Sequence, residues 1–204
     1  MKRQFLLALF ISTMYAVIRY AGYGNVSLIH LPVYILNKGI SMTATVSLFI
    51  ASICLVRAEK VGVRFWTDAC SQLVFIHIFL SLCIFTKGYF AKFFSGDQMS
   101  LTGEMVLLTG VLAIYCFWRL QSAEVKPAVR QALTILACAL VAGHLFVMGY
   151  DGWLQVRKWN GGLPPITLLS FILVIPSLMV FLWNGDAGVS STGIDRAYPA
   201  EMDS

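Results

Sequence analysis

The chain has 204 residues, of which 58% are hydrophobic and only 12% charged. A soluble domain carries about 25% charged residues, so the composition excludes an ordinary water-exposed globule and points to lipid as the solvent of the apolar excess. The formal net charge of +5 calls for no nucleic acid, because lysines and arginines at helix ends facing anionic headgroups account for it.

In chain order, the first candidate span is residues 5–18, extended to Gly22. Lys2 and Arg3 before an apolar run also fit a secretory signal, but no small-x-small cleavage site directly follows Ile18. Arg19 and Tyr20 follow instead, a pairing suited to a membrane–water interface, and the run reads as a retained helix. Further spans lie at 42–56 (reaching full length from Val33), 71–85, 101–118, 132–148 and 166–183. A bilayer core requires about 20 mostly apolar residues per helix. The expected fold is therefore all-α, a six-transmembrane-helix bundle over residues 1–184 with a short polar tail at 185–204. Polar connections are expected at 57–68, 121–130 and 150–165, and Pro176 is expected to kink the sixth helix.

Lysine and arginine counts give an orientation. With six spans, one side holds Lys2, Arg3, Arg57, Lys60, Arg64, Arg119, Lys126, Arg130 and Arg196. The other holds Arg19, Lys38, Lys87, Lys92, Arg157 and Lys158. The positive-inside rule then places both termini in the cytoplasm. An integral membrane location is expected.

Cys54, Cys70, Cys83, Cys116 and Cys138 form no C-x-x-C pair, so small apolar packing is expected of them rather than a disulfide framework or zinc site. Of the three histidines, His77 and His144 sit inside predicted spans. An ionisable side chain there is expensive and is read first as functional; the bland reading is interhelical hydrogen bonding. The third and fifth helices run in the same direction. His77 lies ten residues before Lys87 and His144 seven before Asp151, an offset of roughly 4.5 Å at helical rise. Two imidazoles on facing helices at one depth are suited to axial ligation of a b-type haem, so both are candidate cofactor-binding residues and ligands to the haem iron. Ser81, one turn after His77, is placed to bond its imidazole. The small residues Ala137, Ala139, Ala142 and Gly143 permit close approach of a macrocycle or of another helix.

Other polar positions have simpler expectations. Asn37 and Lys38 open the second span, with Lys38 snorkelling to the interface. Glu104 complements the dipole at the start of the fourth helix. No dinucleotide fingerprint or Walker A loop is present, and no loop is long enough for a flavin or nicotinamide domain. Any electron carried by this chain must come from a quinone, a free flavin or another subunit.

Four stretches carry a family resemblance: LPVYILNK at 31–38, IHIFLSL at 76–82 with YFAKF at 89–93, GHLFVMG at 143–149, and WNGGLPP at 159–165. Together they resemble the ferric reductase-like transmembrane family, which includes the haem-binding membrane subunit of the periplasmic methionine sulfoxide reductase system. The resemblance implies a six-helix bundle whose third and fifth helices hold haem b through His77 and His144, and oxidoreductase activity with a periplasmic or membrane redox partner. The family pattern places a second histidine about a dozen residues along each helix. Here Tyr89 and Phe90, and Val156 and Arg157, occupy those positions. One bis-histidine haem is then the most the chain supports, with the outer loop containing His30, Trp153 and Trp159 shaping access. The alternative is a non-catalytic membrane scaffold in which both histidines are structural. A transporter is a weaker third reading, since charged midplane residues and broken repeat helices are not evident.

Overall fold

A computed structural model describes residues 1–188 apart from Asn25, Ser27, Leu28, His30 and Ala123. His30 and residues 189–204 of the expected tail therefore lie outside the described residues. Among the described residues, six helices are long and apolar enough to cross a membrane. They are α1 (Lys2–Val17), α2 (Leu36–Val56), α3 (Lys60–Cys83), α4 (Leu101–Leu120), α5 (Pro127–Trp153) and α6 (Ile166–Gly188). Five-residue π-helical turns extend α1 through Ile18–Gly22 and precede α2 at Leu31–Ile35. Large apolar side chains such as Leu7 and Phe10 on α1, Phe79 on α3, Leu108 on α4 and Met179 on α6 point outward, as lipid requires. The all-α bundle read from the sequence is the observed architecture.

The expected connection at 57–68 is much shorter. Only residues 57–59 turn, with Ala58 at a positive φ of 57°, and α3 begins at Lys60. Charge alone suggested a loop, but the charged residues occupy one face of a helix. Arg64 and Asp68 pair at 4.0 Å across a turn, both largely exposed, while Trp66 on the opposite face is buried against Ala51 and Cys54 of α2. Likewise α5 starts at Pro127, α6 continues to Gly188, and α6 runs through Pro176 as one element. A short hairpin that the sequence did not announce, β1 (Phe94–Ser95) and β2 (Gln98–Met99), sits between α3 and α4. Its turn uses Gly96 at φ 61°.

Side-chain bonds fix the helix directions. Asn37 near the start of α2 meets Ser81 near the end of α3, and Val106 near the start of α4 meets His144 towards the end of α5. These pairs are antiparallel. α2 and α6 are parallel: Thr45 bonds Ser170 at 3.2 Å, and two turns further Ser52 meets Ser177 at 3.5 Å. Small hydroxyl residues let two backbones approach closely and hydrogen-bond where no water competes. α1 packs on α2 by the same means, since Gly39 lies against Thr13 so tightly that a Cβ would stand 2.6 Å from Thr13 Oγ1. It follows that α1 begins, and α2 and α6 finish, at one end of the bundle. The hairpin and the 154–165 turns lie at the other.

The core divides along the same axis. At mid-bundle Leu48, Cys70, Leu73, Cys116, Cys138 and Val174 form one apolar cluster. Cys54, Cys70, Cys116 and Cys138 are buried as expected, whereas Cys83 is exposed. At the hairpin end a separate cluster gathers Ile84, Phe90, Phe93 and Val106, with Phe85 and Met148 packed against it. Phe90 and Phe93 stack at 5.3 Å. His77 and His144 stand where the two clusters approach each other along α3 and α5, past Leu73 and Ala142 and short of Ile84 and Met148.

Candidate haem-ligating site

His77 projects from α3 one turn beyond buried Leu73, and His144 from α5 two residues beyond buried Ala142. The structure brings the rings within electrostatic range of each other. Measured from the helix ends, His77 is six residues before Cys83 and His144 nine before Trp153. The sign of the offset reverses relative to the loop-based reading, and its size, about 4.5 Å, is unchanged. α3 and α5 are not packed along their length; each is held by another partner, α3 by α2 and α5 by α4 and α6.

Each ring is fixed through Nδ1. His77 Nδ1 is 2.7 Å from Asn37 Oδ1, and Asn37 Nδ2 donates to Ser81 Oγ at 3.0 Å. Asn37 is 1% exposed. Its amide therefore stands between His77 and Ser81, so Ser81 acts on the imidazole through Asn37 rather than directly. His144 Nδ1 is 2.9 Å from the Val106 carbonyl and 3.5 Å from Thr109 Oγ1. Because both principal partners are oxygens that accept, Nδ1 carries the single proton of each neutral ring, which leaves Nε2 its lone pair. Neither Nε2 has a hydrogen-bond partner among the described residues. Gly110 makes room for the His144 ring, a Cβ there falling 3.4 Å from Nδ1.

This is the donor set that bis-imidazole ligation of a haem needs: two neutral rings, each with Nδ1–H fixed by a protein acceptor and Nε2 available to iron. Among the described residues no group of three or more histidine, cysteine, aspartate or glutamate side chains could hold a bare metal ion. Two axial ligands suffice for haem, whose remaining four ligands belong to the macrocycle.

Beyond the histidines, at the hairpin end, lies a cleft of about 350 Å³. Its cations are Arg19, Lys38, Lys92 and Lys158, and no carboxylate lines it among the described residues. All four sequence stretches that carry the family resemblance contribute to its wall, through Tyr34, Tyr89, Gly149 and Trp159 among others. Lys38 Nζ sits 5.3 Å from the ring centroids of Tyr34 and Phe90 and within electrostatic range of both histidines. Lys92 donates to the Met148 carbonyl. Burial and the nearby Lys38 cation hold the Lys92 ammonium below the ordinary lysine range, with Asp151 opposing them. A second cleft, lined by Met1, Arg57 and Glu59, lies at the opposite end of the bundle.

Two residues acquire importance that the sequence reading missed. Asn37 was expected merely to open α2; an amide directly before a lysine at the head of an apolar run was the available signal. Arg19 was expected at an aromatic interface, yet it is 6% exposed. It is carried into the bundle by the π-helical turn Ile18–Gly22, a local widening often found at functional sites. Its guanidinium donates to the Leu163 carbonyl. By contrast Trp153, expected near the outer loop, bonds Thr167 Oγ1 at 2.9 Å and packs on Phe171, so it serves the α5–α6 contact. Trp159 does line the cleft.

No protein-family model matches this chain, and no characterised protein matches it at a significant level.

Proposed function

We propose that the protein is a membrane-embedded electron-transfer subunit that holds one haem b between His77 and His144, similar in kind to the ferric reductase-like transmembrane proteins. The observation that carries this reading is the state of the two imidazoles. Both are anchored through Nδ1 by acceptors, and neither has a partner at Nε2 among the described residues. Haem b bound there would supply one-electron ferric–ferrous chemistry.

The residues of the chain account for the rest. Asn37 and the Val106 carbonyl hold the rings in the ligating tautomer and raise their basicity. Leu73, Ala142 and Cys138 exclude water from below, and Phe90 and Phe93 do so from above. The chain has no dinucleotide fingerprint. Its reductant is therefore a quinone, a free flavin or a partner subunit, and its oxidant an acceptor at the hairpin end. With both termini cytoplasmic, as the lysine and arginine bias indicates, that end faces the periplasm of a bacterial inner membrane.

A second reading has support in the same bonds. The Nδ1 contacts join α2 to α3 and α4 to α5, which is what a scaffold would use histidine for. The two readings part at Nε2, which a scaffold leaves unused. Purified, haem-replete protein is expected to show a Soret band that His77→Ala and His144→Ala each abolish. A band that survives either substitution would exclude bis-histidine ligation.

A further inference from the structure

We infer that the basic cleft at the hairpin end is the seat of the two haem carboxylates, with Lys38 and Arg19 as their principal partners; this rests on the haem reading above. The cleft begins where the ligand site stops. Met148, one helical turn beyond His144, is in its wall, and Lys38 follows Asn37, the residue that holds His77. One turn of α2 thus carries both the histidine anchor and a cation of the cleft.

Charge and burial point the same way. A macrocycle between the two rings would have the apolar cluster of Leu73, Cys138 and Ala142 on its inner side. Carboxylates turned that way would be buried without partners at severe cost. On the hairpin side Arg19, Lys38, Lys92 and Lys158 line the cleft, with no carboxylate beside them among the described residues. Arg19 is the most telling. It is 6% exposed, and its Nε is fully buried with no hydrogen-bond partner among the described residues. A guanidinium retained there lacks the anion that ordinarily compensates a buried cation, and its planar donor array matches a carboxylate. Lys38 likewise makes ring contacts with Tyr34 and Phe90 but has no ion pair among the described residues. Two carboxylates against four cations also leave the cleft positive enough to favour ferrous over ferric haem.

The test separates the carboxylates from the iron. The full-length apoprotein in lipid nanodiscs is titrated with haem b and with its dimethyl ester, in which both carboxylates are neutralised, and binding is read from the Soret band. Haem b should bind at least about tenfold more tightly than the ester, as befits charge-assisted bonds. Lys38→Met and Arg19→Gln should each bring the two affinities together, and Lys38→Met should lower the midpoint potential. Equal affinity of the wild-type protein for both forms, with a histidine-dependent band in each case, would overturn the carboxylate assignment and leave the ligation reading standing. Absence of a histidine-dependent band with either form would defeat the ligation reading itself, and this inference with it.

Discussion

At the scale of single residues, the polar groups of greatest consequence are those that hold others. Asn37 is nearly inaccessible, and its two amide atoms engage His77 and Ser81. Replacing it with leucine removes the acceptor that fixes the His77 tautomer and leaves a ring free to rotate. Loss of such a supporting partner lowers metal affinity by about 10- to 100-fold. Asn37→Leu is therefore expected to weaken haem binding by that factor in a Soret titration, and loss of no more than twofold would show that Asn37 serves only to pack α2 on α3. Lys92 makes a second case. Its neighbours in and around the cleft are Arg19, Lys38, Lys158, Tyr20, Tyr34, Tyr89 and Asp151, and burial together with Lys38 depresses its pKa from 10.5. A cation that deprotonates early ceases to attract an anion. Haem affinity should accordingly fall as pH rises through a range beginning below 10.5, and Lys92→Met should flatten that part of the profile.

At the scale of elements, close backbone approach shapes the bundle as much as apolar bulk. Gly39 is the contact point of α2 with α1, where a Cβ would stand 2.6 Å from Thr13 Oγ1 and 2.9 Å from Thr13 Cα. Thr13 Cα belongs to a backbone that cannot move without shifting α1. Gly39→Val should therefore destabilise the bundle by about 1–3 kcal/mol, seen as a lower thermal midpoint in detergent, whereas an unchanged midpoint would mean that α1 is loosely attached. The spans were legible because a 20-residue apolar run has few other uses. The start of α3 was not, because Lys60, Arg64 and Asp68 look like a loop until Trp66 and Cys70 are seen to share the buried face. His77 and His144 stood out because histidine is rare in lipid. Asn37 and Arg19 did not, because polar and basic residues at span ends are ordinary interface features, and only the fold shows them turned inward.

At the scale of the whole molecule, the path of the chain returns both ends of the bundle to one side. The parallel α2–α6 seam and the antiparallel α2–α3 and α4–α5 pairs require it. Reporter fusions at the N-terminus and after α6 should therefore report the same compartment, the cytoplasm, and opposite compartments would contradict the six-span path. The same layout gives the molecule a polarity: an apolar cluster at mid-bundle, two anchored imidazoles above it, and a basic, aromatic cleft beyond them at the hairpin end. That order suits the proposed exit of an electron at the cleft end.

The most direct test of this account is the optical spectrum of the purified, haem-replete protein with its haem content measured as the pyridine haemochrome. The account predicts a low-spin bis-histidine spectrum with one haem b per chain, lost in His77→Ala and in His144→Ala. A preparation with no Soret band would contradict it.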